Sequence, residues 1–215
     1  MSGLFITFEG LDKAGKTTQI TRLATRLERL GHTVFSTREP GGTPLCEEIR
    51  QILMKKQSEK LVDEAELLLF SASRAQLLRE KLWPELDAGH IVLCDRFADS
   101  TTAYQGYARG MDLEFIRQLN SYAIGNRWPD LTLFLDLTVE ESFKRLGKVL
   151  DTTKAEVDRF EIESRRFYEQ VRKGFQELAA GHPERIVTLD ASQSVKDLDE
   201  QIWKIVQKRL SHLES

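Results

Sequence analysis

The sequence predicts an α/β fold in which a parallel, five-stranded sheet is flanked by helices. Short apolar runs rich in strand-forming residues alternate with helical patterns, and several of these runs end in a polar residue. The first two runs enclose a helix, and such a unit pairs its strands in parallel with a right-handed crossover. The predicted strands are residues 4–8, 33–36, 91–94, 131–135 and 185–189.

Helical periodicity fills the intervals between these strands. In the first interval, Ile20, Leu23 and Leu27 recur at helical spacing until Gly31 ends the pattern. The predicted helices are residues 17–31, 44–54, 62–81, 99–109, 113–125, 140–146, 155–180 and 195–210. Residues 147–158 have little apolar content, and we predict an exposed, mobile segment there. No repeat or linker interrupts the chain, which predicts a single domain over residues 1–215.

The composition excludes several classes of protein. The formal net charge of -3 gives no large basic surface, so no nucleic-acid partner is predicted. No stretch approaches the ~18 uninterrupted apolar residues of a membrane span, and the N-terminus lacks the pattern of a signal peptide. Cys46 and Cys94 lie far apart without a CxxC motif, which indicates two reduced structural thiols. These observations predict a cytoplasmic protein with no membrane partner.

The clearest motif is a phosphate-binding loop. The segment GLDKAGKT at residues 10–17 matches the pattern GxxxxGK[ST] at every fixed position. Its glycines allow successive backbone N–H groups to point at phosphate oxygens, and the following helix adds its positive N-terminus. Lys16 is predicted to reach the β- and γ-phosphates of a nucleotide, and Thr17 to offer its hydroxyl to Mg²⁺. A chance glycine turn would not explain the apolar strand before the loop and the amphipathic helix after it.

A second acidic group and three arginines accompany the loop. Asp95 follows an apolar strand, where a carboxylate would hold Mg²⁺ directly or through water. Capping a helix is the alternative role for Asp95, and the two roles are compatible. Arg38, Arg74 and Arg96 stand near the predicted ends of parallel elements, and a guanidinium matches a phosphate in shape and charge. Convergence of the three arginines on one cleft predicts an anionic second substrate.

Further motifs resemble thymidylate kinase in order and spacing over essentially the whole chain. They are FEGLD at 8–12, TREPGGT at 37–43, Phe70 with Arg74, DRF at 95–97 with Ser100, AYQG at 103–106 and DRFE at 158–161. The resemblance implies a three-layer phosphate-loop NTPase fold of the nucleoside monophosphate kinase type. It also implies phosphorylation of dTMP to dTDP by ATP, a step in dTTP synthesis, with Mg²⁺ as cofactor and a homodimer as the assembly.

The resemblance assigns roles to individual residues. The catalytic residues would be Lys16, Asp12, Lys13 and Arg96, and the metal ligands Thr17 and Asp95. ATP would be bound by Gly10, Leu11, Asp12, Lys13, Ala14, Gly15, Lys16, Thr17, Thr18 and Arg145. dTMP would be bound by Asp12, Arg38, Phe70, Arg74, Arg96, Ser100, Thr101, Tyr104 and Gln105. Phe70 would stack on thymine and Tyr104 would crowd C2′ of the sugar; for both, ordinary core packing is the alternative.

The resemblance also implies a short lid at about residues 145–159 that closes over ATP, with Lys148, Lys154 and Arg159 as basic side chains. The sequence departs here from the family pattern, in which an arginine acts either from the phosphate loop or from the lid. This chain has Lys13 in the loop and a lysine-rich lid. Because lysine lacks the planar fork of arginine, the geometry need not carry over. The sequence leaves open whether Lys13 or a lid residue stabilises the transferred phosphoryl group.

Other functions fit parts of the pattern. Another deoxynucleotide or deoxynucleoside kinase would share the phosphate loop, and an assay with different acceptors separates these enzymes. A nucleotide-dependent switch that reads guanine would need an NKxD motif, which the sequence lacks. A degenerate, inactive kinase would have lost loop residues, but Lys16, Thr17, Asp95 and Arg96 are all present.

Overall fold

The computed structural model describes residues 3–55, 61–152, 160 and 163–213. Within these residues the sheet contains the strands Leu4–Glu9 (β1), Val34–Arg38 (β2), Ile91–Asp95 (β3), Leu131–Asp136 (β4) and Ile186–Asp190 (β5). All neighbouring strands are parallel, and their order is β2-β3-β1-β4-β5. The predicted fold class is confirmed, and each predicted strand is found to within two residues at its ends.

Helices follow the strands on both sides of the sheet. The α-helices are Lys16–Arg29 (α1), Pro44–Met54 (α2), Asp63–Leu77 (α3), Trp83–Asp87 (α4), Ala98–Thr101 (α5), Leu113–Ile124 (α6), Val139–Thr152 (α7), Arg165–Gly181 (α8) and Val195–Leu213 (α9). Two π-helical turns, Leu78–Leu82 and Thr102–Ala108, continue α3 and α5. In the part of the chain that the structure describes, no helix combines the length and the apolar character needed to cross a membrane.

The core lies on both faces of the sheet because successive side chains of a strand point to opposite faces. On one face, Ile6 of β1 packs in a cluster with Leu23 of α1 and Ile202 of α9. On the other face, Phe5 packs in a cluster with Leu82 of the first π-helical turn. The molecule therefore has three layers, with the sheet between two layers of helices. The carboxyl ends of the parallel strands share one edge of the sheet, and the phosphate loop lies at this edge.

The boundaries around the predicted lid were wrong in two places. The predicted helix 140–146 continues six residues further, so the first part of the predicted exposed segment 147–158 is helical. Glycine inside a helix costs about 1 kcal/mol relative to alanine and does not by itself end the helix. The predicted helix 155–180 is not continuous: residues 160, 163 and 164 are not helical, and α8 begins at Arg165, where the Ser164 hydroxyl accepts the Phe167 N–H at 3.2 Å. Residues 155–159, 161 and 162 lie outside the described residues.

Two other predicted helices contain π-helical turns. The helix predicted over residues 62–81 continues through the first π-helical turn into α4, and Pro84, which has no N–H to donate, lies two residues after that turn. The helix predicted over residues 99–109 is a short α-helix followed by the second π-helical turn. There the Arg109 N–H donates to the Tyr104 carbonyl five residues earlier, at 3.1 Å. Such wide turns occur frequently at functional sites.

Candidate active site

The phosphate loop, residues 10–17, connects β1 to α1. Its backbone has positive φ angles of 137° at Gly10, 60° at Lys13 and 96° at Gly15. A Cβ atom at Gly10 would lie 2.5 Å from the Leu135 carbonyl oxygen, so only glycine fits there. The structure therefore has the context that the motif requires, an apolar strand, a glycine-rich turn and a helix.

Lys16, the first residue of α1, folds its side chain back over the phosphate loop. Its ammonium group donates to the carbonyl oxygens of Leu11 at 3.0 Å and Gly10 at 3.3 Å. Burial and then the nearby charge of Arg96 lower the pKa of Lys16 below its ordinary value. A buried cation beside backbone donors is suited to binding a polyphosphate.

Thr17 and Asp95 come together at the end of the sheet. The Thr17 hydroxyl donates to Asp95 Oδ2 at 2.7 Å, because α1 begins beside the carboxyl end of β3. Both residues offer hard oxygen ligands, so they fit the predicted Mg²⁺. Among the described residues there is no group of three or more His, Cys, Asp or Glu side chains that could hold a metal. A magnesium ion here would therefore depend on phosphate and water oxygens for its remaining ligands.

A cavity, called the phosphate-loop cavity, opens above these residues. It is lined by Asp12, Lys13, Gly15, Lys16, Thr17, Thr18, Arg38, Glu39, Arg50, Asp95, Arg96 and Arg145. Arg145 of α7 braces its outer wall, because its guanidinium donates to the carbonyl oxygens of Ala191 at 3.1 Å and Lys13 at 3.3 Å. Arg145 thus connects the loop to the segment after β5.

The second cavity adjoins the first. It is lined by Asp12, Glu39, Pro40, Arg50, Met54, Phe70, Arg74, Arg96, Phe97, Ser100, Thr101, Tyr104, Gln105 and Phe160. It contains every residue that the resemblance assigns to dTMP except Arg38. Arg38 lines the phosphate-loop cavity, where it is half exposed and pairs with Glu47 at 3.0 Å.

Arg96 stands where the two cavities meet. Its guanidinium donates to Asp12 Oδ1 at 2.6 Å, to the Gly10 carbonyl at 2.9 Å and to Ser100 Oγ at 3.3 Å. Burial opposes ionisation of Asp12, but the charges of Arg96 and Lys16 outweigh it and lower the pKa of that carboxyl. Arg96 is thus held as a fixed cation that faces both cavities.

Aromatic side chains form one wall of the second cavity. The Tyr104 ring packs edge-on against Phe160 at 6.0 Å between centroids, and Phe70 lies 6.1 Å from Phe160. The Arg96 guanidinium lies 5.1 Å from the centre of the Tyr104 ring. Phe70 and Tyr104 thus belong to a core cluster and line the cavity at the same time.

Arg74 is held in a buried network that the sequence did not predict. It donates to Glu39 at 2.8 Å, to Asn120 and Thr101 at 2.9 Å, and to the Phe97 carbonyl at 3.2 Å. Burial raises the pKa of Glu39 to about 7, although Arg74 opposes that shift. The network fixes Arg74 as part of the cavity wall while using most of its donors.

A second buried network lies behind Gln105. Glu66 accepts from Gln105 Nε2 at 2.7 Å and from the Arg109 guanidinium at 2.7 and 3.1 Å. Arg109 also pairs with Glu163 at 3.1 Å. The sequence reasoning missed Glu66, although a carboxylate four residues before Phe70 on a helix was a signal that it shares the face of that ring.

Glu9 anchors the loop after β3 from the neighbouring strand. Its carboxyl accepts from the Phe97 N–H at 2.7 Å and from the Ser100 hydroxyl at 2.6 Å. Burial and then the nearby Asp99 raise the pKa of Glu9 to about 8. Together with Arg50, which lines both cavities, Glu9 is a site residue that the sequence analysis did not single out.

The lid residues are only partly within the described structure. Lys148 lies in α7, whereas Lys154 and Arg159 lie outside the described residues. In the first turn of α8, the Tyr168 hydroxyl contacts the Phe160 carbonyl at 2.9 Å and Asp12 Oδ2 at 3.2 Å. Tyr168 thus connects α8 to the phosphate loop.

A phosphate loop at the carboxyl edge of a parallel sheet, whose cavity shares Arg50 and Arg96 with a second cavity, defines the class of phosphate-loop nucleotide kinases. The family model described as thymidylate kinase matches residues 8–202. The chain is 48% identical to the thymidylate kinase of Syntrophotalea carbinolica over 93% of each chain. It is 41% identical to the thymidylate kinase of Bacillus pumilus over 98% of each chain. The chain therefore belongs to the thymidylate kinase family.

A solved structure agrees with this assignment. The crystal structure of thymidylate kinase from Ehrlichia chaffeensis superposes with a TM-score of 0.77 and 34% sequence identity. The match covers 96% of this chain and 99% of that one. The similarity therefore extends over nearly all of both chains, and is not confined to the phosphate loop.

Proposed function

We propose that the protein transfers the γ-phosphoryl group of ATP to the phosphate of dTMP, with ATP in the phosphate-loop cavity and dTMP in the second cavity. One observation carries the proposal: Asp12, Arg50 and Arg96 line both cavities, so the two phosphates would meet beside shared cations. Membership of the thymidylate kinase family supports the same reaction and gives no support to a deoxynucleoside kinase.

The reaction needs charge stabilisation more than proton transfer. A phosphate monoester has its second pKa at about 6, so near neutral pH the acceptor is already a nucleophilic dianion and no general base is required. The obstacle is the repulsion between two polyanions. Fixed cations and aligned donors lower this barrier because they stabilise charge in the transition state without reorganising.

On the donor side, residues 10–18 hold the phosphates of ATP through backbone N–H groups, and Lys16 pairs with the β- and γ-phosphates. Arg145 supports this wall through Lys13 and Ala191. Thr17 and Asp95 would hold Mg²⁺, which when bound neutralises charge on the phosphates. The 2.7 Å contact between their oxygens supports a shared ion.

On the acceptor side, Phe70 stacks on thymine, Arg74, Thr101 and Gln105 contact the base, and Tyr104 crowds the sugar at C2′. Arg96 holds the acceptor phosphate, with Ser100 and Asp12 keeping its guanidinium in place. Arg50 joins these phosphate ligands, because it lines both cavities, and Arg38 approaches from the phosphate-loop side.

The assembly we propose is a homodimer of single-domain chains in the cytoplasm. The helices α3 and α6 pack together and carry large exposed apolar side chains, Leu68 (55%), Phe115 (51%) and Tyr122 (82%). Such a surface is suited to a second copy of the chain. The free, buried thiols of Cys46 and Cys94 suit a reducing compartment.

An acceptor panel tests the reaction directly. Purified protein with ATP and magnesium is offered dTMP, thymidine, dUMP, UMP and CMP, and product nucleotides are separated by chromatography. We expect dTDP from dTMP as the dominant product. Phosphorylation of thymidine without turnover of dTMP would refute the acceptor assignment.

Lys16→Ala tests the donor site. We expect kcat to fall about 10³-fold, because a cation aimed at the transferring phosphates is lost. The melting temperature should stay within a few degrees of the wild-type value, since Lys16 is a buried cation whose desolvation is unfavourable. Equal turnover in this variant would overturn the phosphate-loop assignment.

A further inference from the structure

Glu66 is a buried carboxylate at the back of the second cavity, and it does not line the cavity itself. Its side chain is 0% exposed, whereas its partner Arg109 is 12% exposed. Burial of a carboxylate is tolerated only with a paired charge and hydrogen bonds. Arg109 supplies both, through two N–H groups at 2.7 and 3.1 Å.

Arg109 is itself held from several sides. It pairs with Glu163 at 3.1 Å and approaches Asp63 at 3.6 Å. Its guanidinium also lies over the Phe167 ring at 5.1 Å from the centre. With these partners fixed, the orientation of the Glu66 carboxylate is fixed as well.

Gln105 lies between this ion pair and the cavity. Its Nε2 donates to Glu66 Oε1 at 2.7 Å, and the residue lines the second cavity. A carboxylate only accepts hydrogen bonds, so a reversed amide would place two acceptor oxygens in contact. The amide is therefore locked, and its carbonyl oxygen is the acceptor left for a ligand in the cavity.

We infer that Glu66 is a positioning residue that orients Gln105 and thereby makes the second cavity select a pyrimidine with a hydrogen on N3. Thymine and uracil carry that hydrogen, whereas N3 of cytosine is an acceptor and would face the Gln105 oxygen. The inference rests on the proposed function, since it requires the base of dTMP to lie against Gln105.

The two pyrimidine nucleotides dUMP and dCMP form the matched probes. Both lack the 5-methyl group and differ only at the base edge, so the ratio of their dissociation constants reports base-edge selection. Calorimetry measures this ratio without ATP and hence without turnover. The Arg74 network includes neither Glu66 nor Gln105, so the contribution of Arg74 is common to the variants compared.

The decisive variant is Glu66→Met. Glu66 Oε1 accepts from both Gln105 Nε2 and Arg109 Nε at 2.7 Å, and the thioether of methionine offers no comparable acceptor, so the Gln105 amide is no longer held in one orientation. We expect the preference for dUMP over dCMP to fall about tenfold or more, because a buried site discriminates strongly against a mispaired polar group. Glu163→Gln is the control: it removes another partner of Arg109 without touching Gln105, and should leave the ratio unchanged.

The pathway through Gln105 is tested by Gln105→Ala, alone and combined with Glu66→Met. The single variant should lose the preference about as much as Glu66→Met, and the double variant should lose no more. An unchanged ratio in folded Glu66→Met overturns the inference; if that variant does not fold, an unchanged ratio in Gln105→Ala overturns it. Absence of dTMP binding and turnover in the wild type would instead refute the proposed function.

Discussion

Two cations of the site, Lys13 and Arg96, have backbone conformations that are unusual for residues with a side chain. Their φ angles are 60° and 68°, in the left-handed region. Such a conformation costs about 1 kcal/mol or more and persists only where the surroundings hold it. At Arg96 a backbone hydrogen bond to the Phe8 carbonyl, at 2.9 Å, helps to hold it. Arg96 thereby faces both cavities, whereas Lys13 lines the phosphate-loop cavity.

Substitutions can separate the role of Lys13, in the phosphate loop, from that of Lys148, in the predicted lid. We predict that Lys13→Ala lowers kcat about 10²-fold, because Lys13 lines the phosphate-loop cavity beside the transferring group. Lys148→Ala, in α7, is the comparison variant and should cost less. Steady-state rates at saturating ATP and dTMP measure both, and the reverse ranking would place the catalytic cation in the lid.

At the scale of secondary-structure elements, the site is held by buried polar networks that join segments distant in sequence. Arg74 of α3 binds Glu39 after β2, Thr101 of α5 and Asn120 of α6. Removing one partner of such a pair leaves the other charge buried and uncompensated. The second π-helical turn also shapes the site, since it carries both Tyr104 and Gln105 on the wall of the second cavity.

Arg74→Met should therefore be strongly destabilising. We predict a loss of about 3–5 kcal/mol in the free energy of unfolding, because Glu39 is left buried without its cation. Urea unfolding followed by circular dichroism measures it. Arg117→Met is the matched control: its ion pair with Glu114 is exposed and screened by solvent, so the unfolding midpoint should stay close to that of the wild type. Similar midpoints for both variants would contradict the structural role of the Arg74 network.

Glu9 makes the free energy of unfolding of the protein depend on pH. Its pKa rises from the ordinary 4.5 to about 8 in the folded protein, chiefly through burial. As pH rises between these values, the unfolded chain loses its proton first, so the folded state binds more protons and stability falls. Protonated Glu9 therefore contributes stability that is fully present below 4.5 and lost by about 8.

Glu9→Gln keeps the shape of the side chain but removes this titration. We predict that its stability relative to the wild type increases from about pH 5 to about pH 9, as measured by urea unfolding. Glu114→Gln is the control, because the pKa of the exposed Glu114 is lowered to about 2 and its titration lies below this window. A constant difference between Glu9→Gln and the wild type over this range would show that Glu9 ionises normally.

At the scale of the whole molecule, the helix α3 that lines the second cavity also forms, together with α6, the exposed apolar face. The helix α3 carries Phe70 and Arg74 towards the second cavity and Leu68 towards the outside. On α6, Phe115 and Tyr122 are exposed and seven residues apart, so they share one face. A second chain bound there would pack against the helices that form the base-binding wall.

Tyr122→Lys tests this surface. We predict that it converts the proposed homodimer to a monomer in sedimentation velocity at micromolar concentration, because a charge replaces a large exposed aromatic side chain on this face. Leu30→Lys is the matched control, since Leu30 is also exposed (58%) but follows α1, away from α3 and α6. A monomeric wild type, or a dimer unaffected by Tyr122→Lys, would exclude this face as the interface.

The phosphate loop and the five strands could be predicted from the sequence because they depend on local patterns, whereas most residues of the second cavity were expected only through the resemblance to the family. Gly10 and Lys16 form one motif, and apolar periodicity reports strands and helices without reference to the fold. The ends of α7 and α8 were mispredicted because a short polar stretch does not show where a helix stops, and Ser164 is one of several residues that could cap it.

The sequence by itself determined the class of the protein, its phosphate loop and the residue types needed to bind two nucleotides. Only the tertiary structure decided that Glu9, Arg50 and Glu66 join the site and that Arg38 lies on the phosphate-loop side. The physical reason is distance along the chain. Glu66 meets Gln105 across 39 positions, and Glu9 meets Ser100 across 91, so these contacts exist only once the helices pack on the sheet.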